Sequence, residues 1–415
     1  MNGLRALRIV VGIGAGLLIG LVLAFTGQEW AFALAVGAVA GDIVYALLAK
    51  LQTDDWGPMR FAAGLTAFAV VAYVGIIGFG DFGTDADIDP DTFTNARAAN
   101  SWALILTVAM VVGAVVYFGL ELLQTGRLES LSRQFTTRTY LLMAIGIAVN
   151  VILGQTVAAA LKIPIYLDSI GTILVGVLCG PVAGAVTGGL GNVLWSYVIP
   201  PPFQYQPAAA FAITAVAIGV IAGLAGRAGF LRPRPDRSTS ELLLGGLITV
   251  TLIGAMAVAA VIGYQAVFGT EVSLLPNEGV EWYFLVLAWL ALALVVGAVL
   301  GLLALLLLRR DLTAAYVVVA GVFTGVIAAL ISAPIAAGVF GGVTASGTDF
   351  LVAAFRQAGA DVQAATTGQG LISDPIDKVT TFFTVYLILQ AMANRFKARF
   401  PQGERVLQVE EGAAA

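Results

Sequence analysis

The sequence predicts an all-α integral membrane protein with about twelve transmembrane helices. Apolar residues fill 59% of the 415 positions and charged residues only 11%, whereas an ordinary soluble domain carries about 25% charged residues. This composition excludes a soluble enzyme, which needs a charged surface, and a disordered chain, which is poor in apolar residues. Apolar runs recur along the whole chain. The predicted spans are 9–27, 31–49, 61–79, 102–123, 139–160, 167–179, 182–199, 208–226, 242–266, 283–308, 313–338 and 375–393.

The first of these spans resembles a secretory signal peptide. Arg5 and Arg8 precede it, as in the charged start of such a peptide. The run is long, no clear cleavage site follows it, and a second span begins at once, so we interpret it as a transmembrane helix. Trp30, Trp102 and Trp282 lie at predicted span ends, where aromatic side chains favour the membrane interface.

The positions of the basic residues support this topology. With a cytoplasmic amino terminus and alternating spans, 17 of the 21 basic residues fall in inner segments. The four exceptions are Arg97, Lys162, Arg356 and Lys378. Lysine and arginine concentrate in the cytoplasmic loops of membrane proteins. We therefore expect a multi-pass protein of the cell membrane with both termini in the cytoplasm.

Breaks in polarity divide the chain into six regions. A basic, polar linker follows the first four spans, and arginine-rich segments enclose a hairpin of two very apolar spans. The predicted regions are a four-helix membrane region (1–124), a cytoplasmic linker (125–138), four closely spaced spans (139–230), a transmembrane hairpin (231–311), two last spans (312–400) and a cytoplasmic tail (401–415).

The residue inventory limits the chemistry of the protein. The chain has no histidine, its only cysteine is Cys179, and it lacks the GxxxxGK[ST] phosphate-binding loop of ATPases. None of its loops is long enough for a folded catalytic domain. We expect no enzymatic activity, no cofactor or metal site, and no nucleic-acid partner.

Polar residues in the segment Lys162–Thr172 need an explanation, because polar side chains in a membrane are costly unless they are paired or face a cavity. Pro164 interrupts the segment, and Asp168 and Ser169 are predicted to cap the short helix that follows. Short, interrupted spans mark binding sites in many transporters. The alternative is a capped turn without a ligand.

A second polar group follows on the next span. Asn192 and Trp195 are three residues apart and so share a helix face. Together with Gln204 in the proline-rich segment behind them, they are suited to stacking on and hydrogen bonding a flat heterocycle. An interfacial aromatic residue beside an ordinary contact between helices explains the pair equally well.

The third group lies around the last span. Glycines and hydroxyl side chains up to Asp349 predict a tight turn beside a cavity. Residues 350–365 are predicted to form an amphipathic helix at the membrane interface. The segment Ser373–Lys378 predicts a helix start, with Asp374 as the cap and proline in the first turn. Asp374 and Lys378 are four apart and are expected to pair, although Lys378 or Asp377 would also suit a ligand.

Four stretches in the regions 138–230 and 312–400 resemble the substrate-binding S component of energy-coupling factor transporters. The stretches are Leu167–Pro181, Gly191–Trp195, Ser332–Gly342 and Ser373–Lys378. The resemblance implies a six-helix core that binds a vitamin or similar micronutrient from outside. It also implies a gating loop with Lys162, Pro164 and Tyr166, and docking through Ala144 and Ala148 to a membrane T component with two cytoplasmic ATPases.

We therefore expect the substrate-binding component of an importer for a small water-soluble vitamin or related micronutrient. Its predicted ligand contacts are Asp168, Asn192, Trp195, Gln204, Asp349 and Lys378. The chain departs from the family pattern in four extra spans before the core and in the hairpin inserted between the fourth and fifth core helices. Two alternatives are a membrane sensor or scaffold without transport, and an autonomous secondary transporter.

Overall fold

The computed structural model describes residues 2–25, 30–53, 56–82, 96–155, 165–201, 203–235, 237–268, 282–344 and 346–408. Within these ranges all regular secondary structure is helical and no β-strand occurs. The α-helices are α1 (Asn2–Phe25), α2 (Trp30–Thr53), α3 (Gly57–Gly78), α4 (Ala96–Thr125), α5 (Glu129–Ser132), α6 (Thr137–Gly154), α7 (Ile170–Cys179), α8 (Pro181–Tyr197), α9 (Ala212–Arg227), α10 (Thr239–Phe268), α11 (Trp282–Leu307), α12 (Thr313–Phe340), α13 (Asp349–Gln357), α14 (Val362–Ala391) and α15 (Asn394–Lys397). Two short 3-10 helices cover Gln206–Phe211 and Gly403–Val406.

Most of the described residues of every predicted span are helical. Six helical segments in the described residues are both long and apolar enough to cross a membrane, which makes the chain a multi-pass membrane protein. They are Gly57–Gly78, Leu104–Thr125, Thr137–Gly154, Pro207–Arg227, Thr239–Met256 and Thr313–Phe340. The all-helical class is thus confirmed, and twelve crossings remain a prediction. Helix α7 has ten residues, which is about 15 Å, or half of the hydrocarbon thickness.

The outward surface of these helices is apolar. Leu18 of α1, Ile77 of α3 and Leu247 of α10 each expose about two thirds of their surface. Soluble proteins rarely expose contiguous apolar area on this scale. Lipid chains solvate such a surface without cost, so the exposed leucines and isoleucines fit a membrane setting.

The chain forms two compact units. The first covers Met1–Gly83 and Ala96–Ser130, and the second consists mainly of Leu131–Ala415. In the first unit, glycines one turn apart on α1 face glycines on α2: a Cβ atom on Gly16 would lie 2.7 Å from the carbonyl oxygen of Gly37. Such small residues let membrane helices approach closely.

On α4 the carboxylate of Glu121, almost fully buried, pairs with Arg60 of α3 at 3.7 Å.

The second unit uses close backbone contacts in the same way. A Cβ atom on Gly146 of α6 would lie 3.1 Å from the carbonyl oxygen of Gly171 on α7. Next to this crossing, Asn150 Nδ2 donates to Thr172 Oγ1 at 2.8 Å, and Asn150 Oδ1 accepts from the Gly171 N–H at 2.7 Å. This buried amide joins α6 to the start of α7, which fixes the position of the short helix.

Helix α14 begins earlier than predicted. The expected start at Asp374 and Pro375 is wrong, since α14 runs without interruption from Val362 and Asp361 is its cap, accepting from the Ala364 N–H at 2.7 Å. Pro375 lies inside the helix, where it removes one backbone hydrogen bond. Gly325 of α12 leaves room for the Pro375 backbone, because a Cβ atom there would lie 2.5 Å from Pro375 Cα.

The segment between α12 and α14 folds into a turn and a helix. Gly341 and Gly342 have positive φ angles of 57° and 87° and end α12, as the predicted tight turn requires. The predicted helix 350–365 is two elements, because α13 ends at Gln357 and α14 starts at Val362. Gly359, with a φ of 93°, lies in the break.

One buried carboxylate joins the segment before α10 to α12 and α14. Asp311 follows α11, is 3% exposed, and accepts hydrogen bonds from the backbone N–H groups of Arg234 and Thr313 at 3.0 and 2.9 Å. Its second oxygen accepts from Tyr386 Oη of α14 at 3.4 Å. The segment before α10, the start of α12 and the end of α14 therefore meet at Asp311.

A glutamine after α15 anchors the opposite end of the core from the predicted gating loop. Gln402 Nε2 lies within 3.2 Å of the carbonyl oxygens of Gly176, Val177 and Gly223, near the ends of α7 and α9. Its backbone N–H donates to the carbonyl oxygen of Leu178 at 2.8 Å. Carbonyl groups in the last turn of a helix lack helical partners, and Gln402 supplies donors to those of Val177 and Leu178, while Gly176 also accepts from the Gly180 N–H at 2.9 Å.

Replacing this anchor is expected to destabilise the core. In Gln402→Ala the three carbonyl oxygens lose their donor, which costs about 1–3 kcal/mol when the groups stay buried. Thermal unfolding of the full chain in detergent should give a lower midpoint for Gln402→Ala than for Gln408→Ala, a change of the same size at an exposed position. Equal midpoints for the two variants would contradict the anchoring role.

Candidate functional site

A cavity with polar and aromatic walls lies between α7, α8, α9, α12 and α14. Its volume is about 80 Å³. The side chains at its wall come from every helix of the predicted core except α6, and from the loops between them. They include Tyr166, Asp168, Ser169, Thr172, Asn192, Trp195, Tyr205, Phe211, Thr214, Ser332, Thr344, Asp374 and Lys378.

An ion-pair cluster forms one side of this cavity. Lys378 of α14 is 3% exposed, and its Nζ lies 2.5 Å from Asp377 Oδ2 and 3.7 Å from Asp168 Oδ1. The same ammonium group donates to Ser169 Oγ at 2.9 Å. The predicted pair of Asp374 with Lys378 is wrong, because the neighbouring Asp377 and the loop residue Asp168 are the carboxylates within pairing distance.

These contacts also explain why the predicted helix caps before α7 do not form. Ser169 occupies the cap position of α7, but its side chain makes no capping hydrogen bond. Its hydroxyl accepts from Lys378 Nζ instead, and the Asp168 carboxylate is turned towards the same ammonium group. A buried charge attracts both side chains more strongly than helix N–H groups do.

Asp377 ties the loop before α7 to α14. Its Oδ1 accepts from the backbone N–H groups of Tyr166 at 3.2 Å and Leu167 at 2.7 Å. Leu167 has a φ of 52°, in the left-handed region that leucine rarely adopts. This strained backbone is held by a carboxylate that is fully buried and also paired with Lys378.

Aromatic side chains form another part of the wall. The rings of Trp195 and Tyr205 are 5.3 Å apart with an interplanar angle of 44°. Trp195 Nε1 donates to the carbonyl oxygen of Phe203 at 2.8 Å, and Tyr205 Oη donates to the carbonyl oxygen of Thr344 at 2.5 Å. Both polar groups are thus used to fix the rings, whose apolar faces remain to contact a ligand.

A row of hydroxyl groups connects the loop before α7 with the turn before α13. Tyr166 Oη lies 2.9 Å from Thr348 Oγ1, Thr348 Oγ1 lies 2.7 Å from Ser346 Oγ, and Ser346 Oγ lies 2.9 Å from Thr344 Oγ1. Asp349 ends the row, since its Oδ1 accepts from Thr344 Oγ1 at 3.0 Å. The turn and the loop are therefore cross-linked at the cavity.

The structure brings four of the six predicted ligand contacts to one cavity. Asp168, Asn192, Trp195 and Lys378 line it. Gln204 and Asp349 lie outside the wall: Gln204 Nε2 donates to the carbonyl oxygen of Ser196 at 2.8 Å, and Asp349 organises the turn. Contact of any of the six with a ligand stays a prediction.

The other predicted functional residues have mixed placements. Of the gating-loop residues, Tyr166 lines the cavity, and Lys162 and Pro164 lie outside the described residues. Ala144 and Ala148 lie on the exposed side of α6. In the described part of the chain, no three Cys, Asp or Glu side chains converge to hold a metal ion.

Several cavity residues were not singled out from the sequence. Thr172, Tyr205 and Thr214 line the cavity, but single hydroxyls are common in membrane helices. Asn150, which contacts the cavity residue Thr172, could have been identified from the sequence, because an amide within an otherwise apolar span needs a hydrogen-bond partner. The place of Tyr205 depends on the irregular path of the proline-rich segment, which hydropathy does not predict.

Comparisons with known proteins identify no relative. No family model matches the sequence, and neither does any curated protein or solved structure. The cavity and the sequence motifs of this chain are therefore the basis for assigning a function.

Removing the charge of Asp377 is expected to loosen the loop before α7. Hydrogen bonds to a charged group contribute about 1.5–3 kcal/mol, so Asp377→Asn should raise amide hydrogen exchange at Tyr166 and Leu167 about tenfold or more. Hydrogen-exchange mass spectrometry of peptides covering 165–169 measures this change. Glu404→Gln, which removes one exposed carboxylate, is the control. Unchanged exchange in Asp377→Asn would rule out the tether.

Proposed function

We propose that the protein is the substrate-binding S component of an energy-coupling factor importer for a small water-soluble micronutrient. The observation that carries the proposal is the polar cavity inside a helix bundle whose outer surface is apolar. A lysine and three aspartates are costly to place in such a bundle. These four side chains lie at or beside one cavity with aromatic side chains in its wall, and binding sites for small molecules commonly combine such features.

The cavity must open to admit a ring-shaped solute. Its volume of about 80 Å³ is smaller than the engineered cavity of about 150 Å³ that holds benzene. Five of its surrounding elements are packed helices, and the non-helical residues at its wall are Tyr205, Thr344 and those of the loop 165–169. We infer that this loop is the gate, and that Asp377 and Lys378 hold it closed through the contacts described above.

The proposed topology has twelve spans and two cytoplasmic termini. It rests on the basic residues of the linker, of the segments around the hairpin and of the segment after α14. Since the sequence contains no phosphate-binding loop of its own, energy would come from two partner ATPases through a membrane T component. The exposed side of α6 that carries Ala144 and Ala148 is the proposed contact with that component.

A tryptophan variant tests the solute site. Trp195→Leu removes most of one cavity wall, so retention of a copurified solute should fall about tenfold, as for the loss of an aromatic stacking partner. Native mass spectrometry of gently extracted protein measures retention. The matched control is Tyr197→Leu on the same helix, because Tyr197 is 75% exposed. Thermal unfolding of both variants separates loss of the site from loss of the fold.

Two outcomes would overturn the proposed function. One is an empty site in native mass spectrometry together with no binding from a broad panel of vitamins and related compounds. The other is uptake into liposomes by the isolated protein under an ion gradient alone, which would make it a secondary transporter.

Cysteine labelling tests the topology. Cys179 is buried, and Cys179→Ala supplies a background without thiols. A membrane-impermeant maleimide applied to intact cells should label Phe203→Cys, which lies in the exposed connection after α8. The same reagent should label Leu308→Cys, which lies after α11, only when the cells are permeabilised. These two positions are expected on opposite sides because an odd number of predicted spans separates them. Labelling of both positions from outside would contradict the proposed orientation.

A further inference from the structure

The cavity wall carries more carboxyl groups than ammonium groups. Asp168, Asp374 and Lys378 line it, and Asp377 lies directly beside Lys378. The cluster therefore contains three carboxylates and only one ammonium group. The other polar side chains of the wall are amides and hydroxyls, which leave this imbalance unchanged.

The single ammonium group is committed mainly to one carboxylate. Lys378 Nζ lies 2.5 Å from Asp377, compared with 3.7 Å from Asp168. Asp377 additionally accepts from two backbone N–H groups of the loop. The protein itself thus satisfies Asp377, and the carboxyl groups without a cation of their own are Asp168 and Asp374.

Asp374 is the carboxylate with the fewest partners. It is 5% exposed, and among the described residues it accepts one hydrogen bond, from Ser373 Oγ at a long 3.4 Å. The nearby Gln369 amide donates to Ser373 Oγ instead, at 2.6 Å. A buried carboxylate in this state lacks most of the hydrogen bonds that water would give it.

Two further groups leave unused polar atoms at the cavity. Thr214 is 8% exposed and lines the cavity, and its buried Oγ1 has no hydrogen-bond partner in the described structure. Asn192 donates through Nδ2 to the carbonyl oxygen of Ala208 at 3.0 Å, which leaves its Oδ1 as an acceptor. Both oxygen atoms can accept hydrogen bonds from N–H donors of a solute, while the Thr214 hydroxyl and the second N–H of Asn192 can also donate.

We propose that the solute of this site is a small organic cation, a flat conjugated ring bearing a protonated amine or amidinium group. This inference rests on the proposed function and deepens it. The cationic group would lie between Asp168 and Asp374 and neutralise the excess charge. The ring would lie against Trp195 and Tyr205, whose faces attract cations and flat rings.

Three probes of the same shape and different charge test this inference. Benzamidinium is a cation, benzamide is neutral and benzoate is an anion. Isothermal titration calorimetry of the full chain in detergent should give benzamidinium an affinity about tenfold or more above that of benzamide, as for hydrogen bonds to charged groups. Benzoate should bind most weakly, because it adds a further carboxylate to the cluster.

Matched variants locate the charge preference. Asp374→Asn and Asp168→Asn should each reduce the preference for benzamidinium over benzamide about tenfold. Glu404→Gln removes one exposed carboxylate and should leave the preference unchanged. Size-exclusion chromatography and thermal unfolding identify variants that fail to fold, and either aspartate variant alone answers the question.

The outcomes separate this inference from the proposed function. Equal or tighter binding of benzamide or benzoate overturns the cation preference and leaves a solute site in place. If none of the probes binds, the charge of the copurified solute in native mass spectrometry decides, and a neutral or anionic solute overturns the inference. No probe binding and no copurified solute overturn both proposals.

Discussion

The ammonium group of Lys378 determines how the core is assembled. It is buried in α14 and contacts Asp377, Asp168 and Ser169. An unpaired charge in an apolar bundle is unfavourable by several kcal/mol, and the contact between α14 and the loop before α7 gives the Asp168 carboxylate a cationic partner. The start of α7, the strained Leu167 and part of the polar wall of the cavity lie around this contact.

Packing of the helices and positioning of the loop before α7 depend on different residues. Close glycine contacts such as Gly146 with Gly171 pack the helices through their backbones and need no charge. The ionic cluster adds little packing area, but it sets the position of one loop relative to one helix. Close packing of small residues thus stabilises the helix bundle, while the polar residues determine where the cavity lies.

Hydropathy and charge predicted the helices well and their interactions less well. Long apolar runs identify spans because the bilayer sets their length, and the break at Gly341 and Gly342 follows from backbone geometry. The start of α14 escaped this reasoning, since its first two turns are polar and pack against α12. Asp374 then resembled a helix cap next to a proline, and its place at the cavity depends on contacts between distant segments.

The distance along the chain between Ser169 and Lys378, 209 residues, has a consequence for biosynthesis. A ribosome adds about 5–20 residues per second, so roughly 10–40 s pass before the lysine follows the loop out of the ribosome. During that interval the nascent α6–α9 segment enters the bilayer with Asp168 lacking its counter-charge. Helices α10 and α11 lie between the two residues and lengthen this interval, during which the Asp168 carboxylate is without its lysine partner.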